Sequence, residues 1–115
     1  MTTIRFSLSQ QLAAAFILTG LALSPSAYAA DTDAAGIFQN HCVLCHGTNG
    51  AGTASGRSLK VKDLRSPAVQ SRSDDDLAQT ISKGEGNMPA FGSKLSPDVI
   101  NALVAYIRTL GTPKK

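Results

Sequence analysis

The chain has 115 residues and a formal net charge of +3 at pH 7, from 11 basic and 8 acidic side chains. This length suits a single domain, and so small a charge gives no support to binding of nucleic acid or of an anionic membrane surface. The basic residues do not alternate with aromatic ones either, and we therefore discard nucleic-acid binding as the function.

The first 29 residues have the pattern of an export signal. Arg5 gives a positive start, residues 12–23 form an apolar run, and Ala27-Tyr28-Ala29 is a small-residue cleavage site. The apolar run is well short of the roughly 20 residues that a membrane-spanning helix needs. We therefore expect residues 1–29 to be a cleaved secretory signal peptide. Residues 30–115 would form one domain, exported to the periplasm or a similar compartment and without a membrane anchor.

A short helix should open the mature chain and lead into the most informative motif of the sequence. Asp33 is a favoured N-cap residue, and the helix is predicted from Ala34 to about Asn40. It runs into Cys42-Val43-Leu44-Cys45-His46, and this C-x-x-C-H spacing is the signature of covalent attachment of a c-type haem. The motif predicts that Cys42 and Cys45 form thioethers with the porphyrin and that His46 is an axial ligand of the iron.

Three other interpretations of the motif are less consistent with the sequence. A thioredoxin-like redox pair is expected near alternating strands and helices, which this chain does not show. A structural zinc site usually takes ligand pairs from two separated segments, and the sequence has no second pair. A disulfide between Cys42 and Cys45 would close a very small loop and so add little stability. His41, beside the motif, is interpreted as a solvated or locally hydrogen-bonded side chain.

The next segment is predicted to be irregular. Residues 47–56 are rich in glycine and indicate a loop, which could offer a backbone carbonyl to the Nδ1–H of His46. Residues 58–64 alternate like a strand but have no partner strand, so we expect an extended loop. This part of the chain is basic, and its cations could contact haem propionates or guide an acidic redox partner.

Two further helices are predicted from their first residues. Ser66-Pro67 could open a short helical turn through Gln70, with proline at the first helical position. Ser73 is a second N-cap residue, and the three aspartates at 74–76 lie where the helix dipole favours negative charge. This helix should end at Lys83-Gly84.

Met88 lies in the glycine- and proline-containing segment 84–92 and is the only methionine after residue 29. A methionine often simply fills a gap in the core. A loop is an uncommon place for such a filler, however, and Pro89 stiffens the backbone that would direct the sulfur. We therefore predict that Met88 is the second axial ligand.

The last helix is the clearest in the sequence. Ser96 is its predicted cap, Pro97 its first residue and Gly111 its stop, with Asp98 to Leu110 between them. Its apolar residues recur at spacings of three and four, which gives one broad buried face. The N-terminal helix that carries Phe38 is the available partner for this face.

The mature chain resembles the class I monohaem cytochromes c over most of residues 34–111. The resemblance rests on Phe38, on residues 42–47, on Gly86-Asn87-Met88-Pro89-Ala90-Phe91 and on residues 103–107. It implies an all-α fold in which the first and last helices cross through Ala34, Phe38, Leu103 and Tyr106, with one covalent haem c and its iron in the core. Family members often have a Gly-Pro whose carbonyl accepts from the axial histidine, where this chain has Gly56-Arg57.

The resemblance implies a monomeric periplasmic carrier of single electrons, not an enzyme, that works between redox partner proteins such as membrane-bound respiratory complexes. Arg57, Lys60 or a backbone amide would contact the haem propionates. Two alternatives stay open. One is a haem-binding subunit of a larger oxidoreductase, and the other is a haem sensor or peroxidase-like domain in which Met88 leaves the iron easily.

Overall fold

The computed structural model of the chain describes residues 32–112. The regular secondary structure of these residues is helical. In chain order the helices are α1 (Ala34–His41), α2 (Val43–His46), α3 (Ala54–Ser58), α4 (Pro67–Gln70), α5 (Asp74–Lys83) and α6 (Pro97–Gly111). Residues 32–112 contain no strand, and their one β-type pairing is an isolated bridge between Glu85 and Met88. The all-α prediction is confirmed. The expected signal peptide lies outside the described residues.

The helix starts follow from local capping chemistry. The Asp33 carboxylate accepts from the Gly36 amide at 2.8 Å, which satisfies a first-turn donor of α1. Serine hydroxyls at positions 66, 73 and 96 accept in the same way from the amides of Val69, Asp76 and Val99. All four predicted N-caps are confirmed, and α5 ends at Lys83 with Gly84 as its C-cap, also as predicted.

Two predictions about helix bounds were wrong. The loop expected over residues 47–56 gives way to α3 at Ala54, because the Thr53 hydroxyl caps this short helix by accepting from the Gly56 amide at 2.9 Å. Gly111 does not stop α6 but is its last residue, and Thr112 is the C-cap. A side chain at Gly111 would overlap the side chain of Gln70, so this glycine permits close packing of α6 against α4.

The core forms where α6 packs against both α1 and α5. The Phe38 ring of α1 contacts the Tyr106 ring of α6, with centroids 5.1 Å apart, and this confirms the pairing of the terminal helices. Phe38 of α1 and Leu103 of α6 are only 1% and 2% exposed, so both helices contribute fully buried side chains to the core. The buried apolar residues of the core are Phe38, Leu64, Val69, Leu77, Ile81, Ile100, Leu103, Val104 and Ile107.

No helix between residues 32 and 112 has the length and hydropathy needed to cross a bilayer. The longest of them, α6, has 15 residues.

Candidate functional site

A cavity of about 550 Å³ opens into the core between α1, α2, the 59–64 segment and the loop that carries Met88. Cys42, Cys45, His46 and Met88 all line it, so the structure brings the four predicted site residues to one place. Apolar side chains form much of the remaining wall, among them Phe38, Leu64, Leu77, Ile81 and Leu103. The space therefore suits a large apolar group with a few defined polar contacts.

The two cysteines are held by the junction of α1 and α2. The Cys42 amide donates to the Phe38 carbonyl at 2.9 Å, and the His46 amide donates to the Cys42 carbonyl at 2.8 Å. Both thiols are free. Burial, with a smaller contribution from Cys45, raises the pKa of Cys42 to about 11, so this group is a neutral thiol at neutral pH.

The alternative interpretations of the motif receive no support here. The thiols are not joined in a disulfide. Across residues 32–112, no group of three or more histidine, cysteine or acidic side chains is arranged to hold a metal ion. The absence of strands from the same residues also leaves no βαβ unit for a thioredoxin-like pair.

The segment after the motif holds α2 in place by satisfying its last carbonyls. The Gly52 amide donates to the His46 carbonyl at 2.7 Å, and the Thr53 amide donates to the Cys45 carbonyl at 3.0 Å. The Thr53 hydroxyl adds a bond to the Leu44 carbonyl at 2.8 Å. Gly56 lies directly against the Cys45 carbonyl, where a side chain would overlap it.

The His46 imidazole has a buried Nδ1 that makes no hydrogen bond in the structure. Burial lowers the pKa of His46, which favours the neutral ring that a metal ligand must be, while the main chain of Lys62 acts in the opposite direction. No carbonyl of the 47–56 loop accepts from this ring, contrary to expectation. The nearest candidate is the Lys62 main chain, although its contact with the ring does not meet the geometry of a hydrogen bond.

Met88 is carried by a tight turn whose ends pair with each other. The Met88 amide donates to the Glu85 carbonyl at 3.0 Å, and the Glu85 amide donates to the Met88 carbonyl at 3.3 Å. Gly84 has φ of +77°, and a Cβ there would meet the Met88 carbonyl oxygen at 2.6 Å, so the turn requires glycine on both counts. The Met88 side chain is partly buried and packs against the core.

The loop that carries Met88 is also fixed to α5 after the methionine. The Phe91 amide donates to the Ile81 carbonyl at 3.0 Å, and the Gly92 amide donates to the Ser82 carbonyl at 2.9 Å. Segment 84–92 therefore leaves the end of α5 and returns to it, and the position of Met88 depends on both attachments.

The other residues singled out in the sequence have mixed placements. His41 lines the cavity and presents its ring to Phe91 with centroids 6.4 Å apart, so it is a wall residue. Lys60 also lines the cavity, but Arg57 does not and instead donates to the Gly52 carbonyl at 3.3 Å. Lys60 is therefore the better placed of the two for an anionic group of a ligand.

Sequence reasoning missed Glu85, whose carboxylate lies at the cavity between Lys62 and Arg72. Its only local signal is its position between two glycines in the loop that carries Met88. The partners of Glu85 are distant in sequence, so the contact depends on the tertiary fold.

These residues fit a covalently held haem. The site supplies two free thiols, an imidazole and a thioether around one apolar space, which is the set of groups that a c-type haem with histidine and methionine ligation uses. Burial of the His46 ring also fits, because it lowers the pKa of the imidazole and so favours the neutral form that a metal ligand must be.

Comparison with known proteins also indicates a protein with a covalently held haem. Residues 29–107 match the family model described as cytochrome c oxidase, cbb3-type, subunit III. The chain is 34% identical to cytochrome c6 of Synechococcus sp. over 86 residues, which cover 74% of this chain and 75% of that protein. It is 42% identical to the cbb3-type cytochrome c oxidase subunit FixP of Azorhizobium caulinodans over 77 residues, but it spans only 25% of the length of FixP.

A solved structure shares the fold. The KustC0563 c-type cytochrome aligns with a TM-score of 0.66 at 29% identity, over 70% of this chain and 99% of that one. With a family model matching most of the chain, the protein belongs to the cytochrome c family, as a small monohaem class I cytochrome c whose cofactor is a covalently bound c-type haem with its iron.

Proposed function

We propose that the protein carries single electrons between redox partner proteins, with its haem bound through Cys42 and Cys45 and with His46 and Met88 as axial ligands. The observation that carries the proposal is that these four side chains line one cavity with apolar walls. The haem, when bound, supplies an iron that alternates between Fe(II) and Fe(III). No substrate needs to reach the metal in this role, so the protein is proposed to be a carrier and not an enzyme.

The chain's own residues would determine the behaviour of the site. His46 is biased towards its neutral form by burial, which keeps a ring nitrogen available as a ligand. Methionine ligation raises the reduction potential of a haem. The buried side chains of Phe38, Leu77 and Leu103 would limit the access of water.

The ligand assignment predicts a specific optical signature. The oxidised wild-type protein should show the weak near-infrared band of methionine–Fe(III) ligation. Met88→Ala should lose the band and bind carbon monoxide in its reduced form, because one coordination position opens. Met88→His is the matched control, since a second imidazole should remove the band and lower the potential while the site stays closed to carbon monoxide.

The same measurements separate the carrier from a haem sensor or peroxidase-like domain. A wild-type protein without the band that binds carbon monoxide readily would contradict Met88 ligation and favour the sensor or peroxidase-like role. A closed site with the band would support the carrier.

A second candidate function is that of a haem-binding subunit in a larger oxidoreductase. The matching family model and the FixP relatives are described as oxidase subunits, and this observation favours the candidate. The apparent mass of the protein in a mild extract of its native cells separates the two functions. A free carrier should elute as a monomer, whereas a subunit should elute with a complex.

We further propose that residues 1–29 are a cleaved export signal and that residues 30–115 function in the periplasm, as a monomer without a membrane anchor. The pattern of Arg5, the apolar run and the Ala27-Tyr28-Ala29 site supports export. Membrane-bound respiratory complexes are then suitable redox partners. The mass of the mature protein tests the cleavage.

A further inference from the structure

Three side-chain contacts cross the opening of the cavity and connect the loop that carries Met88 with the chain that follows the haem motif. They are the ion pair of Glu85 with Lys62, the ion pair of Glu85 with Arg72, and the hydrogen bond from Asn87 to the Leu59 carbonyl. We call these three contacts the loop bridge.

We propose that Glu85, with Lys62 and Asn87, is a positioning residue that holds the Met88 loop across the cavity and so controls how readily an outside ligand displaces Met88 from iron. The inference rests on the proposed role of Met88 as an axial ligand. It adds a determinant that lies outside the ligand set.

Glu85 is coupled to Met88 through the backbone. The two residues exchange main-chain hydrogen bonds of 3.0 and 3.3 Å, so they move as one short turn. A force on the Glu85 side chain therefore acts on the backbone of Met88. The turn is otherwise fixed only on its α5 side, by Gly84 at the end of α5 and by the amides of Phe91 and Gly92 after the methionine.

The Glu85 carboxylate lies between two cations, Lys62 of the 59–64 segment and Arg72 just before α5. Its Oε2 is 3.6 Å from Lys62 Nζ and 3.5 Å from Arg72 Nη1. Arg72 is a fixed anchor, because its Nε donates to Asp76 at 2.7 Å and its Nη2 donates to Thr80 at 2.8 Å. A carboxylate held by an immobilised guanidinium loses less side-chain freedom on pairing than one that meets two mobile partners.

Asn87 supplies a second, uncharged connection. Its Nδ2 donates to the Leu59 carbonyl at 3.2 Å across 28 residues of sequence. Leu59 and Lys62 belong to the same extended segment, so both connections attach the turn to one stretch of chain.

Lys62 contacts both ligand-bearing sides of the cavity. Its ammonium group pairs with Glu85 on the methionine side, and its main chain acts on the His46 ring on the other. The loop bridge therefore attaches the Met88 loop to the segment whose main chain lies beside the His46 ring.

The loop bridge should be weak and sensitive to salt. The side chains of Lys62 and Glu85 are 60% and 50% exposed, and ion pairs in such positions are screened by dissolved ions. Its loss should therefore change the displacement of Met88 by a small factor and leave the fold intact.

The test is an imidazole titration of the oxidised holoprotein, followed by the shift of the main haem absorption band and the loss of the near-infrared band. Glu85→Gln should raise the apparent imidazole affinity by roughly two- to fivefold at low salt, as expected for an exposed ion pair. Lys62→Gln and Asn87→Ala should change it in the same direction. High salt should raise the wild-type affinity towards that of Glu85→Gln.

Asp75→Asn is the matched control. It removes one exposed carboxylate from the first turn of α5, and Asp75 pairs neither with Arg72 nor with the loop. This variant should keep the wild-type imidazole affinity, and thermal unfolding should show that both carboxylate variants remain folded.

Two results would overturn the proposal. One is an unchanged imidazole affinity in Glu85→Gln while the wild-type protein shows the near-infrared band. In that case Met88 ligation stands and only the role of Glu85 is rejected. The other is an equal rise in Asp75→Asn, which would indicate a general charge effect. Absence of the band from the wild-type protein would reject Met88 ligation and the loop bridge together.

Discussion

Gly56 determines how closely α3 can approach the haem motif. The residue is buried, and the position of its missing side chain is occupied by the Cys45 carbonyl. That carbonyl also accepts from the Thr53 amide, so it cannot move away without losing a bond. A glycine in the middle of a short helix is therefore a steric requirement of the site, although helix propensity alone would favour alanine.

Gly56→Ala should destabilise the holoprotein by about 1–3 kcal/mol, the usual cost of overpacking a rigid site. The sign of this stability change is informative, because helix propensity alone predicts that the same substitution stabilises the protein by about 1 kcal/mol. Thermal unfolding should show a fall of several degrees in Tm and a lower yield of haem-loaded protein. Ser55→Ala, at the exposed neighbouring position, should leave both nearly unchanged; a more stable Gly56→Ala would show that the carbonyl can move.

At the scale of elements, Arg108 connects α6 with the junction of α4 and α5. Its guanidinium donates to the Gln70 carbonyl at 2.8 Å, to the Arg72 carbonyl, and to the Asp74 carboxylate at 2.7 Å. Gln70 completes the junction by donating to the Leu64 and Ile107 carbonyls at 2.7 and 3.1 Å. One planar side chain thus satisfies backbone acceptors where α4 ends and α5 begins, which a single ammonium group cannot do with the same geometry.

Arg108→Lys should lower the free energy of unfolding by about 1–2 kcal/mol, because it retains the charge but leaves carbonyl acceptors unpaired. Chemical denaturation of the holoprotein is the measurement. Arg65→Lys is the control, since Arg65 pairs only with the adjacent Asp63 on the surface. Equal stability of Arg108→Lys and the wild type would mean that water or lysine replaces the lost bonds.

The helices that could be predicted from the sequence are those whose signals are local. Three of the N-caps are serine hydroxyls that accept from the amide three residues further on, at Ser66, Ser73 and Ser96. A short window of sequence therefore contains the whole interaction. Thr53 caps α3 in the same way, but the glycines around it favoured the prediction of a loop. Gly111 was misassigned because the reason for it is the side chain of Gln70, which only the packing of α4 against α6 brings near.

The site follows the same rule. The thiol and imidazole positions could be predicted because the C-x-x-C-H spacing encodes them locally, and Met88 because a lone methionine in a loop is unusual. Glu85, Arg72 and the Lys62 main chain could not, because their contacts join segments that are distant in sequence. Arg57 and Lys60 were equivalent in the sequence, and only the fold placed Lys60 at the cavity.

At the scale of the whole molecule, the cavity opens into a small domain that has few large side chains in its core. Phe38, Phe91 and Tyr106 are the aromatic residues between 32 and 112, and two of them line the cavity. The haem therefore contributes apolar volume as well as iron, in keeping with the reliance of small domains on cofactors.

The intact mass of the protein isolated from its native compartment should equal that of residues 30–115 plus one haem. Addition of a thiol across a vinyl group loses no atoms, so the whole mass of the haem is retained and no thiol remains for alkylation. Cys42→Ala should keep at most one thioether, whereas Ser55→Ala should keep two. A retained N-terminus would contradict the export signal, and two free thiols would contradict the attachment.

Phe38 and Tyr106 lie on the first and last of the described helices, so their contact can form only after both helices have been synthesised. Four of the nine buried core residues, Ile100, Leu103, Val104 and Ile107, belong to α6, which follows the other described helices in chain order. The ring of Phe38 packs against α6, so the core around it closes only once α6 has been synthesised. Because Cys42 and Cys45 precede α6 in the chain, we expect their thiols to remain accessible for haem attachment until α6 packs against α1.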